Sequence, residues 1–299
     1  MARLASETER VDRKPAMTDP LQPRSETLTL NGLRLHYLAW GDAARPPIVC
    51  VHGYTGSAQA FNSLARRLAD RFRVIAPDVR GHGESGWSPH GAYQYADQAA
   101  DLAALVDRLE LGRFVLIGTS MGGIIAMAYA VANPERLRGL VINDIGPEAE
   151  AGTQRITQMV GDRPQDFASL DEAMAYRRQI SPITAARPLA DQRELALGVL
   201  RRRADGRWEW PMDPAYIRQR VEHGPPPRPE LWPGLGKIAC PSLVVWGIES
   251  DVLSEAQARR MVAALPRGEL VAVPGIGHAP TLVEPPVLMA LERLLAAAV

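Results

Sequence analysis

The rhythm of apolar and polar positions changes twice along this chain. From Glu26 onward it alternates: Thr27, Leu28, Thr29 and Leu30 precede Asn31-Gly32, and Leu33, Arg34, Leu35, His36, Tyr37 and Leu38 follow. A period of two belongs to a strand. Asn-Gly between two such runs predicts a β-hairpin, because both central positions of the favoured turn need positive φ. Beyond the hairpin come short runs that are apolar at nearly every position: 48–51, 74–76, 114–117, 140–142, 243–246 and 270–273. Such runs suit strands covered on both faces. Helical spacing separates them, as in 96–109, where Ala99, Leu102, Leu105, Val106 and Leu109 share one stripe. Strand–helix–strand repetition predicts an α/β fold, a mostly parallel central sheet flanked by helices.

The second change spans 147–236, where no strongly apolar run occurs and Arg, Pro and Trp accumulate. Segments 170–180 and 191–203 have helical spacing, and Pro225-Pro226-Pro227 lies near the end. This stretch is expected to form a mainly helical cap, inserted into a core made of 25–146 and 237–299. Residues 1–24 are polar and charged without the apolar centre of a secretory signal. They are expected to be a disordered leader, with Met17 an alternative start.

A length of 299 residues suits one α/β core with one insertion better than two full domains. The 34 Lys and Arg balance 34 Asp and Glu, so no overall field recruits nucleic acid or an anionic membrane. No run approaches the roughly 18 apolar residues of a transmembrane helix, and a cytoplasmic protein is expected. Cys50 and Cys240 stand in or beside apolar runs and are expected to be buried; no Cys or His spacing suggests a metal.

Candidate chemistry centres on Gly118-Thr119-Ser120-Met121-Gly122, where a buried strand passes directly into a helix. A serine on such a cramped turn needs small neighbours, and its hydroxyl then projects from the carboxyl edge of the sheet. The helix start beneath it offers free N–H groups. A nucleophilic hydroxyl needs a base, and the base needs an orienting acid. His278, on a Gly-rich loop after the last strand, is the candidate base. Of the other histidines, His36, His90 and His223 are expected at the surface, while His52 and His82 are expected to brace loops. For the acid, Asp251 and Asp144 both follow strands; Asp251 is the first choice and Asp144 the second, ahead of Glu249 and Asp78. The segment 48–57 ends a strand in His52-Gly53-Tyr54. The backbone N–H groups of Tyr54 and Met121 are the candidate oxyanion donors.

Together with Asp78-Val79-Arg80-Gly81-His82-Gly83-Glu84-Ser85, these motifs resemble the α/β-hydrolase superfamily over essentially the whole chain after the leader. The resemblance implies a Ser120, Asp251 and His278 triad, an inserted helical cap and no cofactor. One departure stands out. Many relatives place the acid three residues after the glycine ending its strand, whereas Asp251 is four after Gly247; another branch has the longer Gly-X-X-Ser-Asp form.

The expected reaction is hydrolysis of a carboxylic ester of a small, largely apolar substrate through an acyl-enzyme. Carbon–carbon bond hydrolysis or lactone opening by the same residues is the enzymatic alternative. A small-molecule receptor retaining the triad is the alternative from another class. Trp208, Trp210, Trp232, Tyr176, Tyr216, Met159 and Met212 are candidates either for a substrate pocket or for packing the cap against the core. Arg201, Arg202 and Arg203 are expected to form a solvated helix face, a substrate-carboxylate site being the lesser alternative. The oligomeric state is left open by the sequence.

Overall fold

The computed structural model describes residues 21–180 and 182–298. The leader expected over 1–24 lies outside the described residues as far as residue 20, and the first strand already begins at Arg24.

Among the described residues, eleven strands follow in chain order: β1 (Arg24–Leu30), β2 (Leu33–Trp40), β3 (Pro47–Val51), β4 (Arg73–Pro77), β5 (Phe114–Thr119), β6 (Leu137–Asn143), β7 (Asp166–Phe167), β8 (Arg201–Arg202), β9 (Trp208–Glu209), β10 (Ser242–Gly247) and β11 (Gly268–Val273). The helices are α1 (Asn62–Leu68), α2 (Tyr95–Arg108), α3 (Met121–Ala132), α4 (Gly152–Asp162), α5 (Leu170–Ile180), α6 (Pro182–Ala185), α7 (Leu189–Leu197), α8 (Pro214–His223), α9 (Trp232–Leu235), α10 (Glu255–Ala264) and α11 (Pro285–Ala298).

Eight strands make one sheet in the order β1-β2-β4-β3-β5-β6-β10-β11. The pairs β1·β2 and β2·β4 are antiparallel and the other five are parallel. The Asn-Gly hairpin forms as expected: Asn31 has φ 50° and Gly32 φ 76°, and Leu30 faces Leu33 across the turn.

The continuous apolar runs are explained by what each face meets. In β3, Val49 and Val51 point to the side holding α2, α3 and α10, where they join Leu105, Ile124, Ile125 and Met261. Ile48 and Cys50 point to the other side, against Leu64 and Leu68 of α1 and Leu291 and Leu294 of α11. Both faces are therefore dry, and no position in the strand can be polar. Cys50 and Cys240 are both buried and free.

The chain leaves β3 for β4 on one side and returns through β5 on the other. Where such a sheet reverses its winding, a crevice opens outside the carboxyl ends of the two strands. Here those ends are His52-Gly53-Tyr54 and Thr119-Ser120.

Between β6 and β10 the chain forms α4 to α9 and a three-stranded antiparallel sheet, β7-β9-β8. Part of this stretch has a small core of its own, with Phe167, Leu170, Ala173, Met174, Ala196 and Leu200 buried together. The helix expected over 170–180 is α5, with the same bounds. The helix expected over 191–203 is not. α7 stops at Leu197 with Gly198 as its cap, and Arg201–Arg202 is a strand paired with Trp208–Glu209 around a turn in which Gly206 has φ 88°. No described helix is long and apolar enough to cross a membrane.

Candidate active site

Ser120 sits between β5 and α3 with φ 53° and ψ −121°, a conformation costly for any residue with a Cβ. The neighbours make it possible. A Cβ on Gly122 would strike the Val51 carbonyl and lie 2.6 Å from that of His52, and one on Gly118 would strike the Gly122 carbonyl. Gly53 approaches so closely that its own Cβ would be 3.2 Å from that of Ser120. The Gly-X-Ser-X-Gly spacing is thus a packing requirement of the strand, loop and helix meeting at one point.

His278 reaches Ser120 from the loop after β11. Its Nε2 is 2.8 Å from Ser120 Oγ. The loop is held from two sides. Glu249 N–H donates to the Ile276 carbonyl at 3.0 Å, and Asn143 Nδ2 donates to the Pro280 carbonyl at 2.8 Å. Gly247 lets β10 and this loop touch, since a Cβ there would lie 2.6 Å from Ile276 O and 2.7 Å from Gly277 O.

The partner of His278 Nδ1 is Asp144, not Asp251. Asp144 Oδ2 lies 2.8 Å from Nδ1. The carboxylate is fully buried and is further tied by Gly247 N–H at 3.0 Å and by Ser250 Oγ at 2.7 Å. Asp144 follows β6 with φ 55°, which turns its side chain back over the sheet edge. Asp251, the first choice from sequence, instead forms a bidentate pair with Arg155 at 2.5 and 2.8 Å. That guanidinium holds the Asp251 carboxyl below its ordinary pKa. The correction has a local cause. Ser250 N–H closes a turn onto the Gly247 carbonyl, so the third residue after that glycine is the one facing the histidine loop. In this chain it is Ser250, which donates to Asp144; Asp251 has already passed the turn and is exposed.

Met121 is the first residue of α3, so no helical carbonyl can accept its N–H. Tyr54 stands across the crevice in the loop after β3. Its carbonyl accepts from His82 Nε2 at 2.6 Å. Asp78 ties that region together, accepting from Ala58 N–H at 2.6 Å, Glu84 N–H at 2.8 Å and His36 Nδ1 at 2.7 Å. Val79 N–H donates to His52 Nε2 at 2.9 Å, which leaves the His52 proton on Nδ1 facing the Gly53 carbonyl. His52 and His82 therefore brace loops, as expected. His36 departs from expectation: it is buried, because Asp78 needs a donor there.

These loops border a pocket of about 820 Å³. His52 to Gly56, Ser120 and 277–283 contribute from the core, and α4, α5 and α7 contribute from the insertion. Ile156, Met159, Ile180, Leu195 and Val199 make part of it apolar, while Arg155, Arg177 and Arg187 bring cations. Of the seven aromatic and methionine candidates, Met159 alone reaches it. Tyr216 is stacked on Tyr93 at 4.3 Å, Trp210 meets Phe167 and lies under Arg163, and Trp232 lies under Arg260. Arg201 and Arg203 are taken up by Glu84, Glu209, Asp166 and Asp205.

The sequence profile of the alpha/beta hydrolase fold matches residues 46–285. A 3-hydroxybutyrate-oligomer hydrolase of Cupriavidus necator is 34% identical over 262 residues, covering 84% of this chain and 89% of that protein. The sn-1-specific diacylglycerol lipase of Mus musculus is 31% identical over 269 residues, covering 85% and 82%. An alpha/beta hydrolase from Novosphingobium aromaticivorans, known as a crystal structure, superposes with a TM-score of 0.84 at 37% identity, covering 92% of this chain and 98% of that one. With the sheet order, the glycine-framed turn at Ser120 and these likenesses in agreement, the chain belongs to the α/β-hydrolase superfamily and is a hydrolase.

Proposed function

We propose that this protein hydrolyses carboxylic esters through an acyl-enzyme on Ser120, with His278 as general base and Asp144 as the acid that orients it. The observation that carries the reading is the unbroken chain from Ser120 Oγ through both ring nitrogens of His278 to a buried carboxylate, two contacts of 2.8 Å opening on one pocket. His278 removes the hydroxyl proton as Ser120 attacks the carbonyl carbon. Negative charge collects on the carbonyl oxygen, where the N–H groups of Met121 and Tyr54 receive it. The alcohol leaves with the proton held on His278 Nε2. Water then attacks the acyl-enzyme with His278 again as base, and Ser120 is restored. Asp144 accepts from Nδ1–H throughout, so the lone pair of the neutral ring faces the serine.

The hydrolase of Cupriavidus necator supports an ester among the bonds this fold can cleave, since a hydroxy acid condensed with itself forms esters. The insertion is read as the cap that roofs this pocket. The test is steady-state hydrolysis of p-nitrophenyl esters from acetate to a long acyl chain, by wild type and Ser120→Ala. Multiple turnovers that fall by roughly 10⁵- to 10⁶-fold in the variant support the reading. Undiminished activity in the variant removes Ser120 as nucleophile. Activity confined to vinylogous diketones would turn the reading to carbon–carbon bond hydrolysis, and a single slow turnover to a receptor.

A further inference from the structure

Four arginines line the pocket, and three of them are accounted for. Arg155 is paired with Asp251, Arg187 stands 3.8 Å from Glu284, and Arg67 is exposed to water. Arg177, on α5, is not. Its Nε is buried and has no hydrogen-bond partner among the described residues, and no described carboxylate pairs with it. Arg163 makes a useful contrast. It too is half-buried, but it lies 4.4 Å over the Trp210 ring and reaches Met212 Sδ at 3.3 Å, away from the pocket.

Burial alone acts on the Arg177 guanidinium, bringing its pKa down to about 10, so the group remains a cation at neutral pH. Arg177 as a whole is half-buried, but a cation whose Nε is withdrawn from water without a counter-charge is still unfavourable. A guanidinium left so beside a substrate cavity has a planar fork free to hold an oxyanion group with two parallel hydrogen bonds. The ester carbonyl cannot supply that charge, because it is neutral in the ground state and occupies the core side of the pocket at Ser120. Arg177 comes from the insertion, on a different part of the lining.

We propose that Arg177 binds a carboxylate carried by the substrate at a position away from the scissile bond, so that the pocket selects acidic esters over neutral ones. This rests on the hydrolase reading given above. The largely apolar substrate expected from the sequence is thereby revised to one with an apolar body and an anionic end.

The test compares p-nitrophenyl hydrogen adipate with its neutral methyl ester, using wild type, Arg177→Gln and Arg177→Lys. Wild type should prefer the half-acid in kcat/KM. That preference should fall by about 10- to 100-fold in Arg177→Gln, the range for a lost hydrogen bond to a charged group. Arg177→Lys should restore it in part. An equal rate on the two esters by wild type, or an unchanged preference in Arg177→Gln, overturns the proposal. Calorimetric binding of succinate, glutarate and adipate to Ser120→Ala separates this from the hydrolase reading. Binding that disappears when Arg177→Gln is added supports the carboxylate site even if no ester is turned over; binding that survives it, or is absent from the start, sinks it.

Discussion

Asp144 Oδ2 and His278 Nδ1 lie 2.8 Å apart across 134 residues of chain, with the carboxylate fully buried. Three donors converge on it, so the carboxylate can turn only by leaving Gly247 N–H or Ser250 Oγ unmade. A ring held this way has one tautomer. Asp144→Asn would present an amide N–H to Nδ1 and reverse that tautomer, and kcat should drop by roughly 10⁴-fold. Asp251→Asn removes a half-exposed ion pair with Arg155, worth at most about 1 kcal/mol, so kcat/KM should stay within about fivefold of wild type. Steady-state kinetics of the two variants side by side decide between the carboxylates; equal losses would refute the assignment.

The backbone at Ser120 supplies a second expectation. A φ of 53° with ψ −121° disfavours every residue bearing a Cβ, whatever its side chain does chemically. Ser120→Ala keeps that penalty and Ser120→Gly releases it. The glycine variant should therefore be more stable than the alanine variant by about 1 kcal/mol, after the greater freedom of glycine in the unfolded chain is subtracted. Urea denaturation of the two inactive proteins measures the difference, and an alanine variant of equal or greater stability would show the turn to be relaxed.

Much of this was legible in the sequence because one physical condition produced it. Strands dry on both faces have to be apolar at consecutive positions, so β3, β5 and β10 stood out. The Gly118, Gly122 and Gly53 contacts leave a fixed spacing around Ser120. The acid was harder. Asp144 and Asp251 each follow a strand, and the sequence contains no statement of which turn points at His278. The one signal was the spacing: the third residue after Gly247 is Ser250, a hydroxyl where a carboxylate would have served. In the insertion, aromatic side chains such as Tyr216 and Trp210 were indistinguishable from pocket residues, since an apolar ring satisfies either place. The unanswered charge of Arg177 had no sequence signature at all, because it consists of what its neighbours fail to provide.

The contact between β10 and the histidine loop makes Gly247 a test of positioning rather than of chemistry. Gly247→Ala would set a Cβ against the carbonyls of Ile276 and Gly277, both backbone atoms that yield only by moving the loop. His278 follows directly. A displacement of about 1 Å at a reacting group costs on the order of 100-fold in rate, while such overpacking destabilises by about 1–3 kcal/mol. The expected result is a folded protein with kcat depressed about 100-fold. Wild-type kcat in Gly247→Ala would mean that the loop and the strand end are not coupled.

Acid should unfold this protein partly through His82. The ring is fully buried, and desolvation, with the nearby His52 adding to it, pushes its pKa down to about 3 from an ordinary 6.5. The unfolded chain binds the proton at the ordinary value, so between about pH 6.5 and 3 it holds more protons than the native state. Stability is then complete above pH 6.5 and declines as the pH falls, at about 1.4 kcal/mol per pH unit for this one group. His52, also lowered by burial, acts with the same sign. Asp78 enters later. Burial opposes its ionisation, but the bonds from His36, Ala58 and Glu84 outweigh it and hold its carboxyl below the usual range, so its contribution is lost only below about pH 4. His82→Gln keeps a donor for the Tyr54 carbonyl without a titrating ring. Urea midpoints between pH 4 and 7 should show the slope of stability reduced by about one proton in that variant, with little change at pH 7. An identical slope in both proteins would mean that His82 is protonated in the native state, bonded to the Arg80 and Tyr54 carbonyls at once.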